Sequence, residues 1–234
     1  MKKDKILLLG DTFLTKDLTK ALKKATIYKR KAEYSIKSLK PDVVIADRGI
    51  DKILKYLKKD TFLVYLSSDE IYDGKSKHMF NSEPNPITEF GKETLKEENT
   101  IAKKHPNSLI LRLPYIITTS DFELMLESIK RKKSYDSRIK HTPIFSYDLG
   151  SFLNTAISTR YTLALNIRGK DETTVYDMMM NLAKYKGVTV KNIGSSTNAN
   201  ESRPARIIMG GVVFDRNIKQ IFIELLKIRG LARG

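Results

Sequence analysis

The chain has 234 residues, with 43 lysines and arginines against 27 aspartates and glutamates, a formal net charge of +16, and no cysteine or tryptophan. Without cysteine there is no disulfide framework, zinc knuckle, iron–sulfur ligation or thiol nucleophile. At 41% hydrophobic residues the chain can bury a core, which excludes general disorder and a small stapled scaffold.

Met1-Lys-Lys-Asp-Lys5 leads straight into Ile6-Leu-Leu-Leu-Gly10, without the long apolar region and small-residue cleavage site of a signal peptide. Ile6 to Gly10 predicts a buried strand ending in glycine, and residues 17–25 carry helical periodicity through Leu18, Ala21, Leu22 and Ala25. A weak strand at residues 26–28 and a short helix at 32–39 follow. Pro41-Asp-Val-Val-Ile-Ala46 predicts a strand, being a β-branched run after proline. Residues 50–57 predict a helix with Ile50, Ile53, Leu54 and Leu57 on one face, and Phe62-Leu-Val-Tyr-Leu66 another strand. The segment from Ser67 to Pro86 reads as a loop, residues 88–104 as a long helix, and Ser108-Leu-Ile-Leu-Arg-Leu113 as a strand.

Strands alternating with helices predict an α/β fold, a Rossmann-like doubly wound parallel sheet with helices on both faces. Beyond residue 120 the alternation loosens. Residues 122–129, 149–158, 175–186 and 218–229 read as helices, 164–167 as a strand, and 192–202 as an exposed polar loop. The expected organisation is a nucleotide-binding-type domain over residues 1–120 and a small C-terminal substrate-type lobe over 121–234. Residues 164–167 are expected to return a strand to the main sheet. No run approaches the roughly 18 apolar residues of a membrane span, so the expectation is a soluble, cytoplasmic protein without membrane contact.

A strand, a glycine at its end and a helix soon after are the elements of a phosphate-binding turn. Gly10 is present, but the later glycine positions of the fingerprint hold Phe13 and Lys16. A benzyl group obstructs backbone approach to a pyrophosphate, and a lysine stands where close helix–strand packing is needed. On these residues alone, an ordinary βα turn outweighs a working dinucleotide site.

Four further segments resemble one family. Pro41-Asp-Val-Val-Ile45, Val64-Tyr-Leu-Ser-Ser-Asp-Glu-Ile-Tyr-Asp-Gly74, Glu83-Pro-Asn-Pro-Ile-Thr-Glu-Phe-Gly-Lys92 and Leu109-Ile-Leu-Arg-Leu-Pro114 occur in that order and at compatible spacing. Together they resemble the extended short-chain dehydrogenases, nearest the dTDP-4-dehydrorhamnose reductase-like branch that modifies nucleotide sugars. Looser similarity continues through residues 143–149, Leu165-Asn-Ile167 and Arg203-Pro204.

In that family a tyrosine acts as general acid or base, and a lysine four residues later lowers its pKa and binds the nicotinamide ribose. A serine or threonine assists them. Carried onto this chain, the assisting hydroxyl is Ser68, the tyrosine position is Phe90 and the lysine position is Thr94. None of the eleven tyrosines has a lysine four residues later, so no shift of register restores the pair. The resemblance also makes Tyr72 and Arg203 substrate-side candidates, Arg203 with Arg206 reading either as facing a diphosphate or as a solvated loop arginine. The segment between the third and fourth strands is short, and Asp47 and Arg48 intrude where the family has small residues.

The remaining clusters have plainer readings. His78, His105 and His141 are far apart and read as surface residues rather than metal ligands. Asp69 and Asp73 read as loop structure, Met178-Met-Met180 as core packing, and Arg112 as structural. The basic residues between Lys16 and Lys59, and Lys130-Arg-Lys-Lys133, read either as solvated charge or as a polyanion-binding face.

Three expectations of function follow. The first is a degenerate nucleotide-sugar reductase or epimerase relative without hydride transfer, acting as a binding, regulatory or structural subunit. The regulatory subunit of methionine adenosyltransferase is a precedent from this branch. The second is an active NAD(P)-dependent reductase or epimerase using Ser68 and an atypical base such as Tyr72. The third is a polyanion-binding or assembly protein. The cofactor expectation is none, or NAD(P) if any. The expected partners are other protein chains or further copies of this one, a nucleotide or nucleotide sugar, and, with weaker support, nucleic acid.

Overall fold

The structure, a computed structural model, describes residues 4–10, 13–22, 26–30, 35–74, 77–79, 81–130, 134–136, 139–185, 194–196, 207–208 and 210–230. Seven strands build the main sheet: β1 (Lys5–Leu9), β2 (Thr26–Arg30), β3 (Val43–Ala46), β4 (Phe62–Ser68), β5 (Ser108–Leu113), β6 (Ala164–Gly169) and β7 (Val212–Phe214). Their spatial order is β2-β1-β3-β4-β5-β6-β7, and every neighbouring pair is parallel. The fold is Rossmann-like α/β.

A parallel sheet is covered on both faces, so its strands read as unbroken apolar runs. The pleat sends Ile6 and Leu8 of β1 to one face, where they pack with helices α1 (Phe13–Ala21) and α6 (Ser146–Thr159). Leu7 and Leu9 go to the other, against α2 (Ser35–Leu39), α3 (Ile50–Leu54) and α4 (Glu89–Lys104). A second core joins α5 (Thr119–Lys130), α7 (Val175–Tyr185) and α8 (Ile218–Ile228), with Met178 and Met179 fully buried in it.

β2 and β3 lie on opposite sides of β1, so the chain crosses from one face of the sheet to the other between α1 and α2. That reversal is the topological switch point at which open α/β sheets hold ligands, outside the carboxyl ends of the strands. Among the described residues only β2 lies beyond β1 on that side, a shorter flank than the three-strand half of a dinucleotide-binding sheet.

Several elements depart from the sequence expectation. β7 was not foreseen, because three residues give too little periodicity to register. The polar stretch 192–202 lies outside the described residues except Gly194–Ser196, which pairs with Ser134–Asp136. Two of the three histidines are buried, not on the surface: His105 bonds the Thr61 carbonyl through Nε2 at 2.8 Å, and His78 stacks on Tyr72 at 4.5 Å. His105 thus satisfies a buried carbonyl and His78 Nε2 lies 3.5 Å from Asp73 Oδ1, contacts that their isolation in sequence conceals.

Candidate functional site

A cleft of about 720 Å³ opens at the switch point. Gly10 and Asp47, just past the ends of β1 and β3, lie on one side, and α3 and α4 form the walls. Gly10 has φ +123°, and a Cβ there would stand in ordinary contact with Thr15 Cγ2 at 3.8 Å and Asp47 Oδ1 at 3.9 Å. Asp47 in turn accepts from Arg48 Nε at 3.3 Å. Phe13 begins α1, with its side chain outside the described residues, and Lys16 is exposed.

The position of α4 is set by its first turn. Thr88 Oγ1 accepts from the Gly91 N–H at 3.0 Å and donates to Glu70 Oε2 at 2.9 Å. A Cβ on Gly91 would lie 2.0 Å from the Glu70 carbonyl oxygen, so only glycine permits this approach. The short turn Asp69–Ile71 is capped by Ser68, whose Oγ accepts from the Glu70 N–H at 3.1 Å. Docked in this way, α4 presents Phe90, 51% exposed, and the buried Thr94, one turn apart, to the cleft.

One group here escaped the sequence reading. Glu97 reaches across from α4: its Oε1 accepts from the Gly49 N–H at 2.8 Å and the Ile50 N–H at 3.0 Å. Gly49 has φ +76°, which suits glycine and turns both amides toward the carboxylate. Glu97 Oε2 accepts from Tyr65 Oη at 2.7 Å, and Thr94 also bonds that phenol. Burial first, and then the Glu97 carboxylate, push the Tyr65 pKa well above the ordinary tyrosine value. A phenol held neutral so firmly is poorly suited to proton transfer near pH 7.

Beside the cleft lies a buried polar network. Arg112 Nη2 pairs with Glu98 Oε2 at 2.9 Å, and Ser67 donates to Glu98 Oε1 at 2.5 Å. Arg112 Nη1 donates to Tyr72 Oη at 3.0 Å, and Tyr72 donates to Asn166 Oδ1 at 3.0 Å. Gly10, Phe90 and Thr94 line the same cleft, whereas Ser68 and Tyr72 do not, and Tyr72 is fully buried. Arg203 and Arg206 lie outside the described residues. Among the described residues no group of three His, Asp or Glu side chains is disposed to hold a metal ion.

A family profile, the RmlD substrate binding domain, matches residues 40–222. The chain belongs to this family. A dTDP-4-dehydrorhamnose reductase from Clostridium acetobutylicum superposes with a TM-score of 0.74 at 19% identity, covering 97% of this chain and 99% of that one. One from Bacillus anthracis, in complex with NADP, gives 0.77 at 15% identity, covering 99% and 95%. At such identities the likeness is one of fold. Methionine adenosyltransferase 2 subunit beta from Danio rerio is 35% identical over 57 residues, which is 24% of this chain and 18% of that protein. The Xenopus tropicalis protein of the same name is 35% identical over 68 residues, which is 29% of this chain and 20% of that protein. The match thus spans about a fifth of those relatives.

The described lining of the cleft in this RmlD-family chain is mixed in charge. Among the described residues four carboxylates line it against three cations, although the chain as a whole carries +16. Asp47 lies beside Gly10, and Glu97 is fixed by three uncharged donors. A pyrophosphate needs amide donors and cations around it, not fixed carboxylates.

Proposed function

We propose that this RmlD-family protein does not transfer hydride and acts as a binding, regulatory or structural subunit. The observation that carries this reading is the face of α4 at the cleft. Carried onto the family's motif, its two positions for proton transfer and cofactor holding are Phe90 and Thr94. Phenylalanine has no proton to move, and threonine has no charge with which to lower a neighbour's pKa or hold a ribose. Tyr65 is the nearby phenol, and burial with Glu97 keeps it protonated. The similarity to methionine adenosyltransferase 2 subunit beta supports a subunit role over its short span.

The test is turnover by the purified chain with NADPH or NADH and dTDP-4-dehydrorhamnose. The expected rate is indistinguishable from that without protein, and saturable turnover abolished by Ser68→Ala would overturn the proposal. The partner side is tested by titrating the chain into a catalytic methionine adenosyltransferase subunit. The expected result is a stoichiometric complex with altered kinetics.

A further inference from the structure

We infer that Glu97 sets the charge selectivity of the switch-point cleft, its carboxylate closing the cleft to nicotinamide dinucleotides and leaving it to ligands that lack a diphosphate. The inference rests on the subunit reading and deepens it, because it identifies what keeps the family's cofactor out. Loss of the tyrosine and lysine positions removes chemistry, but it does not by itself remove a binding site, since the pyrophosphate is held elsewhere, by backbone amides at the strand ends.

Glu97 acts on binding directly. Its Oε1 takes the Gly49 and Ile50 amides and its Oε2 takes the Tyr65 hydroxyl, so the carboxylate is held by three donors at once. None of these three donors carries a positive charge, so they hold the negative charge in place without neutralising it. Asp47 adds a second carboxylate on the Gly10 side, shared with the largely exposed Arg48. A diphosphate entering the cleft meets like charge from both carboxylates. Two amides that could otherwise receive a ligand's oxygen are already occupied.

The experiment is a titration of NADPH, followed by its own fluorescence, into the wild-type chain and Glu97→Gln. Glutamine keeps a carbonyl oxygen for the Gly49 and Ile50 amides while removing the charge. A second neutral variant, Glu97→Thr, differs in shape and guards against a misfolded first one, and thermal melting confirms that each is folded. The expected result is no saturation of the wild type at millimolar NADPH and at least about a tenfold gain in affinity in a folded neutral variant. Micromolar binding by the wild type, or folded variants that bind no better than it, would overturn the inference. Turnover by the wild type overturns the subunit reading, whereas binding without turnover overturns this inference alone.

Discussion

Tyr65 gives its ring to the core beneath α4, donates its hydroxyl proton to Glu97 and accepts from Thr94. Burial and the adjacent carboxylate both favour the neutral phenol, so its folded pKa lies above the unfolded value of about 10. The stability this contributes is complete below pH 10 and is lost as pH rises beyond it, because the unfolded chain releases the proton first. Tyr65→Phe should cost about 1 kcal/mol at pH 8, the net worth of a hydrogen bond. It should also lose less stability than the wild type between pH 10 and 11. Urea unfolding at the three pH values checks both, and parallel alkaline losses would contradict the assignment. Glu98 and Arg112 behave differently, being a buried ion pair. Removing one partner, as in Arg112→Met, should cost about 3–5 kcal/mol, while Glu98→Met with Arg112→Met should recover much of it. Residues also mark the limit of the sequence reading. Phe90 and Thr94 were legible because a motif assigns them roles. Glu97 was not, because its partners Gly49 and Ile50 are 48 and 47 residues away and become its neighbours only when α4 lies against α3.

Among the elements, α4 decides the shape of the cleft, and it is held by its first turn. Thr88→Ala removes an N-cap and should lower stability by about 1 kcal/mol. Gly91→Ala should cost more, about 1–3 kcal/mol, because its new methyl meets the Glu70 backbone carbonyl and not a side chain that can rotate away. Thermal melting ranks the two, and an alanine at 91 milder than one at 88 would show that α4 moves aside at little cost. The elements most legible in sequence were those the sheet buries on both faces. Ile6 to Leu9, Val43 to Ala46 and Phe62 to Leu66 are continuous apolar runs because no side of them meets water. β7 was missed at three residues, where an edge strand's mixed exposure imitates a loop. Helix α6 starts at Ser146, three residues ahead of the expected start, since its first turn is polar and Ser146 is buried against Asp17 rather than against apolar groups.

Among the described residues Asp17 ties a core on one face of the sheet to the core among α5, α7 and α8. It sits on α1 without solvent exposure, accepting from the Thr119 N–H at 2.8 Å, Thr119 Oγ1 at 2.5 Å and Ser146 Oγ at 2.6 Å. Thr119 opens α5 of the second core and Ser146 opens α6 over the sheet, so one carboxylate meets the positive ends of two helices. Asparagine has the same shape but only one acceptor oxygen, and its amide would point hydrogens at donors. Asp17→Asn should therefore cost about 3 kcal/mol, a charged hydrogen-bond network left partly unmade. The loss should be uneven. Sheet strands keep their apolar burial on both faces, whereas α5 loses a fixed first turn and with it part of its registration against α1. Native-state hydrogen exchange should show the amides of α5 and α8 losing protection while those of β1, β3 and β4 keep theirs. Equal loss everywhere would mean that the two cores unfold as one unit and that Asp17 merely adds to a common stability. The expected split instead makes α5 and α8 the elements that open first, with the cleft at the switch point left intact.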